Sequence, residues 1–166
     1  MVAGSNAEFF DESGSSRGLS NELDRLLIGK LRSISDVVVT GGNTARIENY
    51  VNPTKAKLAV ITRSAVVDGD RIILNPPPSS ELADWVIETL GLMGFKSILL
   101  EVGPSLARQF LDHDLVDEFC LTIPSGDLKV ADQVMGALQA KLSLAESQSV
   151  DNTLFTIWRR GNDSRA

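Results

Sequence analysis

This chain carries one cysteine, one histidine and one tyrosine, and aromatic residues make up only 5% of its 166 positions. A lone thiol, Cys120, excludes an internal disulfide and suits a reducing compartment, so a cytoplasmic setting is expected. Its apolar neighbours Phe119 and Leu121 read as strand, which makes it a buried, unreactive thiol. His113 is flanked by Asp112 and Asp114, but no cysteine or second histidine stands at ligand spacing. No metal site is expected, and a surface position near a helix end suits it better. The same scarcity leaves no Ser-His-Asp set, and no G-x-S-x-G elbow occurs, so hydrolysis is not indicated. No apolar run is long enough to span a bilayer, and residues 1–10 lack the apolar stretch of a secretory leader. Positive charge is also short: 16 basic against 22 acidic residues leave a net charge of −6. The one basic pair, Arg159-Arg160, is expected to be solvated, and no nucleic-acid face is expected. A phosphorylated small molecule stays open, since a few local Arg and Lys can bind one.

Hydrophobic residues make up 43% of the chain, enough for one well-buried domain. Residues 1–18 are polar and Gly/Ser-rich and read as an arm or a degenerate first strand. Residues 19–160 read as a single domain, and 161–166 as a disordered tail. Ser20 is expected to cap a helix to about Ser33, with Leu23, Leu26, Leu27, Leu31 and Ile34 as its apolar face. Asp36–Thr40, Lys57–Thr62, Arg71–Leu74, Ser97–Glu101 and Asp117–Ile123 read as strands, the second and third around a polar Asp68-Gly69-Asp70 turn. Helices are expected after Ser80, from Pro104 to about Leu111, and over Val130–Ala140. A closing hairpin, Leu142–Val150 with Leu154–Arg159, turns at Asp151-Asn152. Strands alternating with helices, then a late hairpin, predict an α/β fold with a mostly parallel, mixed sheet.

Two turns carry the chemistry. Ser97–Glu101, expected as a central strand, runs into Gly103-Pro104-Ser105-Leu106, where proline suits a helix start. The N–H groups of Ser105, Leu106 and Ala107 would then face outward at the positive end of the helix dipole. Asp36–Thr40 runs into Gly41-Gly42-Asn43-Thr44, whose glycines would let a ligand approach the backbone. This is not the G-x-G-x-x-G fingerprint. If the two strands are neighbours, both turns open on one edge, and a single cofactor could span them. Arg32, Arg46 and Lys55 are the basic residues expected nearest that edge. Positioning two bound molecules for hydride transfer suits such a groove.

The sequence resembles the reductase domain of the bacterial riboflavin-pathway deaminase/reductase, a family with a dihydrofolate-reductase-like, three-layer α/β/α fold. The likeness runs from about Gly14 to Arg160. It is carried by Gly14–Ser20, by Leu31-Arg32-Ser33 leading through Asp36–Thr44 to Arg46 and Glu48 (against "LRA-x-x-DAVLVGAGT-x-R-x-E/D"), by Glu101–Leu106 (against "EGGP-x-L") and by Leu115–Glu118 (against "LVDE"). The resemblance implies NADPH-dependent reduction of 5-amino-6-(5-phosphoribosylamino)uracil or a related phosphoribosylamino-pyrimidine, by a protein that is commonly a homodimer. By motif position, Gly41, Gly42, Thr44, Glu48, Ser64, Gly103, Pro104, Ser105 and Leu106 would contact the cofactor. Ser16, Arg32, Lys55 and Glu101 would fall on substrate positions.

The chain departs from that pattern in places. Ser5-Asn6-Ala7-Glu8 stands where the family has "S-x-D-G", so the acid is missing at Ala7. Val102 replaces a glycine, where a branched residue would crowd a diphosphate or resist a positive φ. The stretch from Thr62 to Ser80 is shortened, and Pro124-Ser125-Gly126-Asp127 replaces a longer Gly-rich segment. An alternative therefore stands beside the reductase: a non-catalytic member that keeps the scaffold and the dimer. A reductase for another small carbonyl or pterin-like molecule is a third reading.

Overall fold

A computed structural model describes residues 1–47, 50, 52–63, 70–78 and 81–161. Glu48, Ser64, Ser80, the Asp68-Gly69 part of the expected turn and residues 162–166 lie outside the described residues. In chain order the elements are α1 (Glu22–Ile34), β1 (Val37–Gly41), α2 (Gly42–Ile47), β2 (Lys57–Ile61), β3 (Ile72–Leu74), α3 (Leu82–Leu92), β4 (Ile98–Leu100), α4 (Pro104–Asp112), β5 (Glu118–Ile123), α5 (Leu128–Ala137), β6 (Ser143–Val150) and β7 (Thr153–Arg159). They fall into two compact units, Arg25–Gln109 and Met1–Asp24 with Phe110–Ala166.

The Arg25–Gln109 unit is built on an all-parallel sheet in the order β3-β2-β1-β4. Val37, Val38, Val39 and Thr40 are all fully buried, which is why β1 reads as an unbroken β-branched run rather than an alternating one. Val38, Leu58 and Val60 pack with Ala45 of α2 and Ala56, and Tyr50 and Leu99 lean on that cluster. From α3, Ala83, Val86 and Leu90 are buried. Gly94, at φ +89, ends α3, its amide bonding to the Gly91 carbonyl. Glu81, not Ser80, takes the N-cap position.

The second unit is an antiparallel sheet in the order β5-β7-β6. Met1–Ala3 runs alongside β5 through a parallel bridge from Val2 to Thr122, and the Ala3 amide bonds to the Thr122 carbonyl at 3.1 Å. Asp151 and Asn152, at φ 44 and 63, make the tight turn expected between β6 and β7. Leu121, Ile123, Val130, Val134 and Trp158 lie in its core.

Several expectations are corrected. Asn21 rather than Ser20 caps α1: its Oδ1 accepts from the Asp24 amide at 2.9 Å, and its Nδ2 donates to Thr153 Oγ1 at 2.7 Å. Along α1, Leu26 and Ile34 are exposed, and Leu23, Leu27 and Leu31, four residues apart, form the covered stripe. β2 and β3, whose pairing the sequence left open, are parallel neighbours, with Val60 beside Ile73. β4 is the edge of its ladder and only half-buried. Arg159 is not simply solvated, since it pairs with Glu118 and Glu146 across the strands. Arg160 donates to the Asp114 and Val116 carbonyls. Cys120 is half-buried, and desolvation pushes its thiol up, keeping it protonated.

Two predictions follow from β1. Thr40 is fully buried, and its Oγ1 has no hydrogen-bond partner among the described residues. Thr40→Val removes that unpaired hydroxyl at nearly constant shape and is expected to raise stability by about 1 kcal/mol in urea denaturation, whereas a loss would show the hydroxyl to be satisfied. Asp36 precedes β1, and its carboxylate accepts from the Ser97 and Lys96 amides, each at 2.9 Å, which holds it below the usual carboxylate range. A lowered folded pKa stabilises above the unfolded value and is lost as pH falls through the folded one. Melting temperature should therefore drop below about pH 4 less steeply in Asp36→Asn than in the parent; equal slopes would contradict this.

Candidate functional site

β1 and β4 are hydrogen-bonded neighbours running in the same direction, with Val37 beside Ile98 and Val39 beside Leu100. Asp36 ties their starts together, and the Glu101 amide donates to the Val39 carbonyl at 2.8 Å at their ends. The turns after both strands therefore leave from one edge of the sheet, as expected for a ligand site in an open parallel sheet.

The glycines of the first turn also leave room for protein atoms. A Cβ on Gly41 would stand 3.0 Å from Leu106 Cδ1, and one on Gly42 would stand 3.0 Å from Thr62 Oγ1. The missing side chains are thus replaced by protein atoms, and the lack of a Cβ lets the 103–106 turn close onto the end of β1. That contact also brings Thr44, half-buried in α2, alongside.

At the second turn the Gly103 carbonyl accepts from the Ala107 amide at 2.9 Å, so Gly103 is the N-cap of α4. Ala107 therefore does not present a free N–H. Pro104 has none to offer, and the amides of Ser105 and Leu106 are the two that the helix leaves without an internal partner. Val102 is half-buried and is absent from the residues at positive φ, so the turn takes a branched residue without backbone strain. Positive φ falls instead on Ala7, at 61, whose methyl packs against the core of its own unit.

Beside this edge, Arg32 of α1 meets Glu101 in a forked pair: Nε to Oε1 at 2.8 Å and Nη2 to Oε2 at 2.6 Å. Nη2 also donates to Tyr50 Oη at 2.7 Å, and the guanidinium carbon lies 4.9 Å from the Tyr50 ring centre. Hydrogen bonding to Glu101 raises the Arg32 pKa against the opposing effect of desolvation, so the guanidinium stays charged. Its net charge is zero, and Glu101 takes the side of the guanidinium that otherwise suits a phosphate.

The expected site residues are not all brought together. Gly41, Gly42, Thr44, Arg32, Glu101 and Gly103–Leu106 share one end of the parallel sheet. Lys55 does not. It precedes β2 and sits at the amino ends of the strands, lining a shallow depression of about 150 Å³ with Asn52, Thr54, Lys57 and Asp70. Arg46 is exposed and bonds to Asn43 Oδ1. Ser16 belongs to the other unit, where its carbonyl accepts from the Leu19 and Ser20 amides. Tyr50 is the residue that sequence reasoning missed. Its only signal was being the sole tyrosine, in a polar stretch.

Comparison with known proteins agrees with this architecture. A pyrimidine reductase-like protein from Corynebacterium diphtheriae superposes with a TM-score of 0.77 at 20% identity, over 98% of this chain and 90% of that one. A diaminohydroxyphosphoribosylaminopyrimidine deaminase/5-amino-6-(5-phosphoribosylamino)uracil reductase from Thermotoga maritima gives 0.72 at 16%, over 96% of this chain and 55% of that one. The riboflavin biosynthesis reductase of Saccharomyces cerevisiae gives 0.67 at 14%, over 96% and 87%. No curated protein sequence matches. At these identities the likeness establishes the fold, which is dihydrofolate-reductase-like, with its strands in a four-stranded parallel and a three-stranded antiparallel ladder. The family model described as the RibD C-terminal domain matches residues 8–157, and by that match the chain belongs to the RibD C-terminal domain family.

Proposed function

We propose that this chain is an NADPH-dependent reductase of riboflavin biosynthesis, acting on 5-amino-6-(5-phosphoribosylamino)uracil or a related phosphoribosylamino-pyrimidine. The observation that carries the reading is the common edge: β1 and β4 are parallel neighbours, and Leu106 fills the side-chain space of Gly41. The residues at that edge suit a dinucleotide phosphate. The Ser105 and Leu106 amides stand at the positive end of a nine-residue helix, and the Thr44 hydroxyl, like the Leu106 side chain, lies close to Gly41. Gly41, Gly42, Gly103 and Pro104 shape the backbone there. Glu48 and Ser64 join the cofactor contacts by resemblance.

When bound, NADPH supplies the hydride that reduces C1′ of the opened ribosyl group to the ribityl chain. The chain's own residues hold and orient. Ser105 and Leu106 fix a phosphate, and Thr44 donates a further hydrogen bond. The Arg32–Glu101 pair offers Nη1 as a donor and carboxylate oxygens as acceptors, so it suits hydroxyl or carbonyl groups of the substrate better than its phosphate. Ser16 stays a substrate contact by resemblance alone, and Lys55, which precedes β2, is left out of this proposal. The proposal carries a homodimer and a cytoplasmic setting with it. Among the described residues, no helix is long and apolar enough to cross a membrane.

One observation favours the second reading, a scaffold without turnover. Ala7 stands where the family pattern has an acid, and its methyl is packed against apolar core. Nicotinamide absorbance with the pyrimidine substrate decides between the two: NADPH consumption supports the reductase, and NADPH binding without consumption supports the scaffold. If the chain binds NADPH as proposed, Thr44→Val should weaken binding by about 1.5 kcal/mol, roughly tenfold in Kd by fluorescence titration. An unchanged Kd would remove Thr44 from the cofactor site.

A further inference from the structure

Arg32 is held from two sides, and only one of them is Glu101. Tyr50 Oη accepts the Nη2 proton that Glu101 leaves, and the ring lies under the guanidinium. Tyr50 is itself fixed: its amide donates to the Ala45 carbonyl at 3.1 Å, its carbonyl accepts from Arg71 Nη2 at 2.7 Å, and it packs on the Val38–Leu58–Val60 cluster. With Nε and both Nη2 protons engaged, Nη1 is the one guanidinium nitrogen with no partner among the described residues.

We propose that Tyr50 is a positioning residue for Arg32, locking the guanidinium against Glu101 so that Nη1 alone is presented to the substrate. This rests on the reading of the Arg32–Glu101 pair as a substrate contact. An arginine on a flexible stem loses considerable freedom when it docks on a ligand. Here that loss is met in the folded protein before any ligand arrives, by a hydrogen bond at one end of the guanidinium and a ring face beneath it. The cluster under Tyr50 makes the bracket rigid, because the ring cannot move without disturbing buried β-branched residues. The group received at Nη1 is then a single oxygen acceptor, since a forked phosphate contact would need the Nη2 proton that Tyr50 holds.

Two variants separate the ring from the hydroxyl. Tyr50→Phe keeps the packing and the ring face, and Tyr50→Leu loses both ring and hydroxyl. The first readout is the Arg32 Nε–H resonance, followed by nitrogen-15 NMR on the full chain without ligand. Solvent exchange of that proton should rise about threefold in Tyr50→Phe and more than about tenfold in Tyr50→Leu. Unchanged exchange in Tyr50→Phe, which preserves the core, would overturn the proposal whether or not the protein turns over. The second readout is steady-state kinetics with NADPH and the pyrimidine substrate. KM should rise about tenfold in Tyr50→Leu and be largely restored in Tyr50→Phe, with kcat within about twofold of the parent. A looser Arg32 with an unchanged KM would show that the pair does not touch substrate, and would overturn the positioning role. Absence of turnover in the parent would count against the reductase assignment, and the NMR result would still decide whether Tyr50 holds Arg32.

Discussion

Position 41 leaves little room for a side chain, and the arrangement of the parallel unit turns on that fact. Leu106 Cδ1 lies 3.0 Å from where a Cβ would stand, so the turn that opens α4 packs closely on the end of β1. The closeness is prepared further back. The Asp36 carboxylate holds the Lys96 and Ser97 amides, and this sets β4 in register beside β1 before either strand reaches its end. A slip in that register would move the 103–106 turn along the sheet, and a larger residue at 41 would push it off. The site is therefore a product of strand pairing and one missing methyl group, not of a long flexible loop.

Charge is handled with similar economy. Near the edge the one forked ion pair, Arg32 with Glu101, is internally neutral. The positive potential available to an anion comes instead from backbone amides at the start of α4, which are uncharged and cannot be titrated away. A net charge of −6 is thus compatible with the proposed phosphate recognition, because the groups proposed for it are N–H dipoles. This division leaves the Arg32 side of the edge to groups that exchange hydrogen bonds rather than charge.

Much of this was legible in the sequence, and the failures have physical reasons. The buried strand of three valines, the Gly-Pro helix start and the Asp151-Asn152 turn announced themselves because each depends on local sterics. The side of α1 that is covered did not, since Leu26 and Leu27 are equally apolar and only packing chooses between them. The pairing direction of β2 and β3 was not legible, because a polar turn between two short strands suits a hairpin as well as a crossover. Gly41 and Gly42 stood out in the sequence, but nothing in it could show that Leu106 and Thr62 pack where their side chains would be. Lys55 was placed at the wrong end because its segment has no strong pattern, so the start of β2 determined its position. Tyr50 escaped because its contact with Arg32 joins residues distant in sequence and close only in the fold.

The central claim is that the turns after β1 and β4 act as one ligand site. Amide nitrogen–proton correlation spectra recorded during an NADPH titration test it most directly. The account predicts that Thr44, Ser105 and Leu106 shift together and fit a single Kd. Shifts confined to one turn, or two turns responding with different affinities, would contradict it.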